Sequence, residues 1–305
     1  MRAALVCALL GLSCGTEKVI HRGDVAECGG CHTQQYEQWS RSRHASSGES
    51  EVFRALLPQV EARWGKVARA RCETCHQPGH AGDQTIGCAS CHLAVGNRED
   101  ANGALVVNVE AAVAGPGENT RAPHEVTPRR FFQAPNLCGT CHEVRGPGLL
   151  DEPTLSEFFA APLEAGQTCT SCHDPHEAPG QVLLTKALAL EVVDGAVVLT
   201  NVGAGHAVPT GMTAIRDVWV DVEVDGVLHE RVIELGAELD ASVFTESSFI
   251  RPRGLMRGAS RRWLVPPGAG EVRASLHFSP VRAETARALG LEVEHRLLAS
   301  ERQAQ

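Results

Sequence analysis

Aromatic side chains are scarce in this chain, 4% of its 305 residues, and Tyr36 is the single tyrosine. A stock this small excludes a core filled mainly by Phe, Tyr and Trp. Cysteine is plentiful at 12, yet only Cys7 and Cys14 fall outside five paired sets. That excludes a disulfide framework in the mature chain. Basic charge is in deficit, with 28 Lys and Arg against 37 Asp and Glu and a formal net charge of -9. Nucleic acid is therefore not an expected partner, although an acidic balance also suits a basic face on a redox partner. The apolar run from Ala3 to Leu12 is too short for a permanent membrane helix, and no later segment approaches membrane length.

What is present is one pentapeptide repeated five times. The copies are Cys28-Gly-Gly-Cys31-His32, Cys72-Glu-Thr-Cys75-His76, Cys88-Ala-Ser-Cys91-His92, Cys138-Gly-Thr-Cys141-His142 and Cys169-Thr-Ser-Cys172-His173. C-x-x-C-H is the attachment pattern of c-type haem. Two thiols on one turn add across the two porphyrin vinyl groups, and the next residue reaches the iron as proximal imidazole. Zinc is the competing reading, because Cys72, Cys75, Cys88 and Cys91 have ribbon-like spacing. With 14 histidines in the chain, chance would place His after all five pairs with a probability of roughly two in ten million, and no zinc site needs it there. Five covalent haems c are thus expected, and they account for the missing aromatics.

Haem is attached to exported apoprotein, so an export signal is required. Met1-Arg2, the apolar run and Ser13-Cys14-Gly15 supply one over residues 1–14. A small residue before Cys14 and no convincing A-x-A site favour a lipoprotein signal with Cys14 lipidated, although Gly11 stands where Leu is usual. The alternative is a simple secreted or uncleaved signal. The expected location is periplasm-facing, lipid-anchored to the outer membrane of a Gram-negative bacterium, with redox proteins of the envelope as partners and the anchor as the membrane contact.

Residues 15–180 read as a mainly helical and irregular pentahaem domain. His21 lies in its polar leader and reads as solvent-exposed. A helix is expected from Thr33 to about Ala45 with Tyr36 and Trp39 on one face, and another from Ser50 to Arg71 interrupted at Pro58. The short link from His76 to Cys88 makes the second and third haems neighbours. A hairpin is expected through Ala104 to Val109. Thr154-Leu155-Ser156-Glu157 is a capping-box pattern for a helix from Leu155 to Ala161. Five irons need sixth ligands, which singles out His44 at the end of the first helix and His176 just beyond His173.

The run from Cys28 to Ala45, C-x-x-C-H-x-x-x-Y-x-x-W-x-x-S-x-H-A, resembles the first haem element of the multihaem cytochromes c related to tetrahaem cytochrome c-554. The resemblance implies that His44 is a distal haem ligand. His80 in Pro78-Gly79-His80, His124 upstream of Leu137 to His142, and His206 in Asn201-Val-Gly-Ala-Gly-His-Ala-Val-Pro-Thr-Gly211 are similar to distal ligands at matching places. Phe158 where Trp is usual and Asp174-Pro175 after the fifth motif depart from the pattern.

Beyond residue 180 the motifs stop, and residues 181–305 read as an all-β, sandwich-like domain. Strands are expected at Val182 to Val193, Ala196 to Asn201, Ala214 to Val224, Val227 to Leu235, Arg261 to Val265, Glu271 to His277 and Leu291 to Leu298, with Asp194-Gly195 and Asp225-Gly226 as hairpin turns. Ser279-Pro280 is expected to open a helix that Gly290 ends. His229, His277 and His295 read as structural or surface residues, and Met212 and Met256 have no ligand context.

If His44, His80, His124, His176 and His206 fill five sixth positions, every iron is bis-histidine and the protein is an electron carrier. A second class is a reductase with one five-coordinate haem acting on a small nitrogen or sulfur oxyanion or hydroxylamine, against which no C-x-x-C-K motif is present. A third is a docking module of a larger envelope redox complex, with the sandwich as its working part.

Overall fold

The computed structural model describes residues 25–79, 85–115, 117, 122–146, 151–177, 181–239 and 249–304. The signal stretch with Cys7 and Cys14, His21 and His80 lie outside them. Among the described residues no helix is long and apolar enough to cross a membrane.

The first part is a string of short helices: α1 (Val25–Gly29), α2 (Thr33–Ser40), α3 (Glu51–Trp64), α4 (Lys66–His76) and α5 (Cys88–His92). Helix α2 ends at Ser40, so His44 sits in the turn that follows rather than on the helix. The break expected at Pro58 falls instead at Gly65, whose φ of 83° separates α3 from α4. Proline inside a helix forfeits one backbone bond. Helix α3 runs on through it because Phe53, Leu56, Leu57 and Val60, at helical spacing, are all buried.

Next come β1 (Ala94–Asn97) and β2 (Leu105–Val107), an antiparallel pair, then the parallel pair β3 (Val113–Gly115) and β4 (Val126–Pro128). The expected hairpin therefore exists, but the 104–109 stretch supplies one strand and 94–97 the other. Helices α6 (Arg130–Gln133), α7 (Pro135–Gly139) and α8 (Thr154–Ala160) follow. The capping box at Thr154 does not form: Pro153 occupies the N-cap and makes no side-chain cap. Thr154 Oγ1 bonds Thr210 Oγ1 and the Glu157 carboxylate accepts from Ala207 N–H, so contacts from the second half of the chain outcompete the local ones. A capping box does form at Thr168 and Ser171, over the 3-10 turn Cys169–Ser171.

Helix α9 (Gln181–Ala187) stands where a strand was expected, and leads into β5 (Leu188–Val193). The strands that follow are β6 (Ala196–Asn201), β7 (Asp217–Val224), β8 (Val227–Leu235), β9 (Ala237–Leu239), β10 (Phe249–Pro252), β11 (Ser260–Leu264) and β12 (Glu271–Ser279). Helix α10 (Ala283–Ala288) and β13 (Arg296–Ala304) complete the chain. Sheets of order β11-β6-β5 and β13-β12-β7-β8 pack face to face as a sandwich. Alternation decides which faces meet. Val218, Val220 and Val222 of β7 and Ala274 and Leu276 of β12 point inward, while Trp219, Asp221 and His277 point out. Both Asp-Gly pairs have positive φ at both residues, 48° and 66° at 194–195 and 50° and 82° at 225–226, as a two-residue hairpin turn requires. The last helix starts later than expected. Ser279 ends β12 with its hydroxyl on the carbonyls of Val281 and Glu294, leaving Arg282 at the N-cap. Ala214 and Ile215 of the sandwich pack on Leu56, Val60 and Ala68, joining the two parts through a common apolar cluster.

Candidate haem-binding site

Each C-x-x-C-H pentapeptide is wound into one helical turn. In the first, fourth and fifth copies the histidine N–H donates to the first cysteine's carbonyl, at 2.9 Å each. The second copy ends α4 and the third is α5 itself. One turn brings both thiols and the imidazole to a common side, which is the arrangement attachment demands. Local packing holds the turns: a Cβ on Gly139 would lie 2.3 Å from Leu155 Cδ2, and one on Gly29 would lie 2.6 Å from Tyr36 Cδ2. The Cys75 thiol lies beside that of Cys141, and the Cys138 thiol beside that of Cys169, so the second, fourth and fifth motifs meet.

Four of the five motif histidines face a second imidazole from elsewhere in the chain. His32 faces His124 with ring centroids 6.3 Å apart, and His44 faces His142 at 6.5 Å. His92 faces His176 at 6.3 Å, and His173 faces His206 at 6.2 Å. Two imidazoles on opposite sides of one metal, each nitrogen about 2.0 Å from it, hold their ring centroids roughly 6.3 Å apart. The four separations fit a haem iron between the rings. The fifth, His76, has Phe53 stacked on it at 4.3 Å, and among the described residues no histidine ring faces it. His80, the remaining distal candidate from the sequence, is outside them.

The ring nitrogens are already oriented. Nδ1–H donates to a backbone carbonyl in His44 (Pro175), His76 (Ser47), His92 (Ala114), His124 (Glu125) and His206 (Ala207), at 2.8 to 3.3 Å. This fixes the proton on Nδ1 and leaves Nε2 with its lone pair for a metal. Burial, aided by the charge of His142, lowers His44 to about 4, so the imidazole is neutral and ready to ligate at neutral pH. Burial also pushes His76, His92, His173 and His206 down.

The loop that carries His206 is built by Asn201. That side chain is fully buried, donates to the carbonyls of His206 (3.0 Å) and Leu255 (2.8 Å), and accepts from Ala204 N–H (3.0 Å). Gly203 is required by close approach, since a Cβ there would lie 2.4 Å from the Lys186 carbonyl oxygen.

Residues 27–101 match the family "Cytochrome c554 and c-prime", and residues 161–190 match "Doubled CXXCH motif". It is a multihaem c-type cytochrome. The cytochrome is similar in fold to the crystal structure of a penta-heme cytochrome c552 from Thermochromatium tepidum, with a TM-score of 0.73 and 18% identity over 93% of this chain and 99% of that one. A second similarity is to the dissimilatory sulfite reductase MccA of Wolinella succinogenes, 27% identical over 123 residues. That match takes in 36% of this chain and 15% of the reductase, so the chain spans a small part of that relative's length. The resemblance read from Cys28 to Ala45 thus falls within the matched family segment.

Trp39, from the pattern between Cys28 and Ala45, donates its Nε1–H to the Ile86 carbonyl at 2.8 Å, tying α2 to the entry of the third motif. Two other residues of the site carry no signal in the sequence. Ser47 reaches His76 and the Ile86 N–H together. Glu152 bonds His142 Nδ1 from ten residues away, at 3.2 Å. Neither sits at a fixed offset from a motif, so no local pattern announces them.

Proposed function

We propose that the cytochrome relays electrons through five covalently attached haems, four of them held between facing histidine pairs and the fifth completed by the remaining candidate, His80. The observation that supports this is the set of four facing imidazole pairs. Cys28, Cys31 and His32 with His124 would hold the first group, and Cys138, Cys141 and His142 with His44 the fourth. Cys88, Cys91 and His92 with His176 would hold the third, and Cys169, Cys172 and His173 with His206 the fifth. Bound there, each haem supplies a one-electron iron couple. The facing histidines would hold each of these groups from both sides and so keep small molecules off the metal. Bis-histidine ligation favours low potentials relative to Met/His haems.

Export and lipid anchoring at Cys14, with the outer membrane as location and envelope redox proteins as partners, complete the reading. The sequence features of residues 1–14 support it.

A second reading attaches to the second motif. Cys72, Cys75 and His76 would hold a haem whose far side faces no described histidine, which suits a site for a small nitrogen or sulfur oxyanion or hydroxylamine. The similarity to a protein named as a dissimilatory sulfite reductase favours that class of chemistry without choosing a motif.

Expression with c-type haem maturation, followed by haem quantitation, EPR and CO difference spectra, tests both. Five haems, all low-spin and indifferent to CO, support the carrier. A high-spin fraction of about one fifth that binds CO and is lost on reaction with hydroxylamine would replace that reading with the second.

A further inference from the structure

Most of the candidate ligand histidines lean on neutral carbonyls, but His142 leans on a carboxylate. Glu152 Oε1 lies 3.2 Å from His142 Nδ1, and the Glu152 side chain is only 14% exposed. The backbone around it is fixed from both sides: Val144 and Glu152 exchange two hydrogen bonds of 2.9 Å. Thr154 Oγ1 also approaches the same carboxylate oxygen. The other carboxylate behind a candidate ligand, Asp174 at 3.4 Å from His176, is 46% exposed, so solvent screens it. The Glu152 carboxylate oxygen, at its distance from His142 Nδ1, accepts a charge-assisted hydrogen bond from the imidazole N–H. Arg216 comes from the sandwich and brings a positive charge within electrostatic reach of Glu152. Its guanidinium is positioned under Gly211, where a Cβ would lie 2.8 Å from Nη2.

We infer that Glu152 is a positioning residue that sets the potential of the iron held by His142 and His44, with Arg216 as its counter-charge. This rests on the proposal that those two histidines ligate one haem. A full negative charge on Nδ1–H makes the imidazole a stronger donor, and the oxidised metal, one positive charge richer than the reduced one, gains most from it. Reduction adds one electron at the metal and makes or breaks no bond; the proton stays on Nδ1. Glu152 therefore holds this couple below the value that a carbonyl acceptor would give. Arg216 offsets part of that effect, and because it arrives from the sandwich, docking of the two halves adjusts the couple.

The test is spectroelectrochemical titration of the full, haem-loaded protein, with H44A marking the relevant component by turning it high-spin. E152Q keeps the size and an acceptor oxygen but removes the charge. It is expected to raise that component so that the reduced form is favoured about tenfold, or ~59 mV for one electron, while the haem count and low-spin EPR signals persist. R216Q, which removes the counter-charge, is expected to lower the same component and serves if E152Q fails to mature. Full haem content with unmoved potentials in either variant would overturn the inference. A haem count below five in the wild type, or no change of spin on H44A, would instead overturn the ligation on which it rests.

Discussion

Replacing Asn201 with Ala probes the link between the sandwich and the fifth motif. The substitution removes a fully buried side chain and its three hydrogen bonds. The Leu255 carbonyl keeps the Val208 N–H at 3.1 Å, so two groups, the His206 carbonyl and the Ala204 N–H, lose the Asn201 partner. At about 1–3 kcal/mol for each buried polar group left unmade, the expected cost is about 4 kcal/mol. For a unit of this size a loss of 1 kcal/mol lowers the midpoint by roughly 4 °C, so calorimetry of the full protein should place the sandwich transition about 15 °C lower. The same loop carries His206, so one iron should lose its sixth ligand and about one fifth of the haem should become high-spin and CO-reactive. A lowered transition with all irons still low-spin would refute the role of Asn201 in placing His206. An unmoved transition would refute the hydrogen-bond accounting itself.

Three further outcomes follow from the same contacts. G139A forces its new methyl into Leu155, which lies 2.3 Å from the Cβ position; a cost of about 1–3 kcal/mol and a disturbed fourth haem signal in EPR are expected. H124A should convert only the haem at Cys28 and Cys31 to high spin, which haem-resolved EPR checks; a change at any other motif would break the pairing with His32. Burial, with the charges of Glu143, Glu152 and Asp151, raises Glu157 to about 7 against the opposing Ala207 N–H. Its folded value lies above its unfolded one, so the stability it contributes is present at pH 4 and is lost as pH rises through about 7. E157Q should therefore shrink the drop in melting temperature between pH 5 and pH 8, and an unchanged slope in calorimetry would count against it.

The five motifs and the alternating strands were legible because each is written in neighbouring residues. A pentapeptide fixes its own turn, and Val218, Val220 and Val222 declare a buried face at every second position. The Asp-Gly turns likewise needed nothing beyond themselves. Which histidine faces which motif was not legible, since His44 meets His142 and His124 meets His32 through tertiary structure alone. The same cause misled the reading of Thr154 and Glu157. Their pattern is that of a local cap, but Thr210 and Ala207 offered partners from the sandwich. Ser279 was lost as a cap to carbonyls of Val281 and Glu294, and Pro58 failed to break α3 because the buried face on either side held it together.

The facing pairs also knot the chain to itself. With a metal between each pair, the backbone closes into rings running from 32 to 124, 44 to 142, 92 to 176 and 173 to 206, and each ring overlaps the next. Thioether bonds anchor one side of every closure and coordination the other. A protease nick between residues 92 and 124 would thus leave two fragments still fastened at three irons, and reducing agents would not free them. In such a molecule none of the four haems at the facing pairs would belong outright to one stretch of sequence.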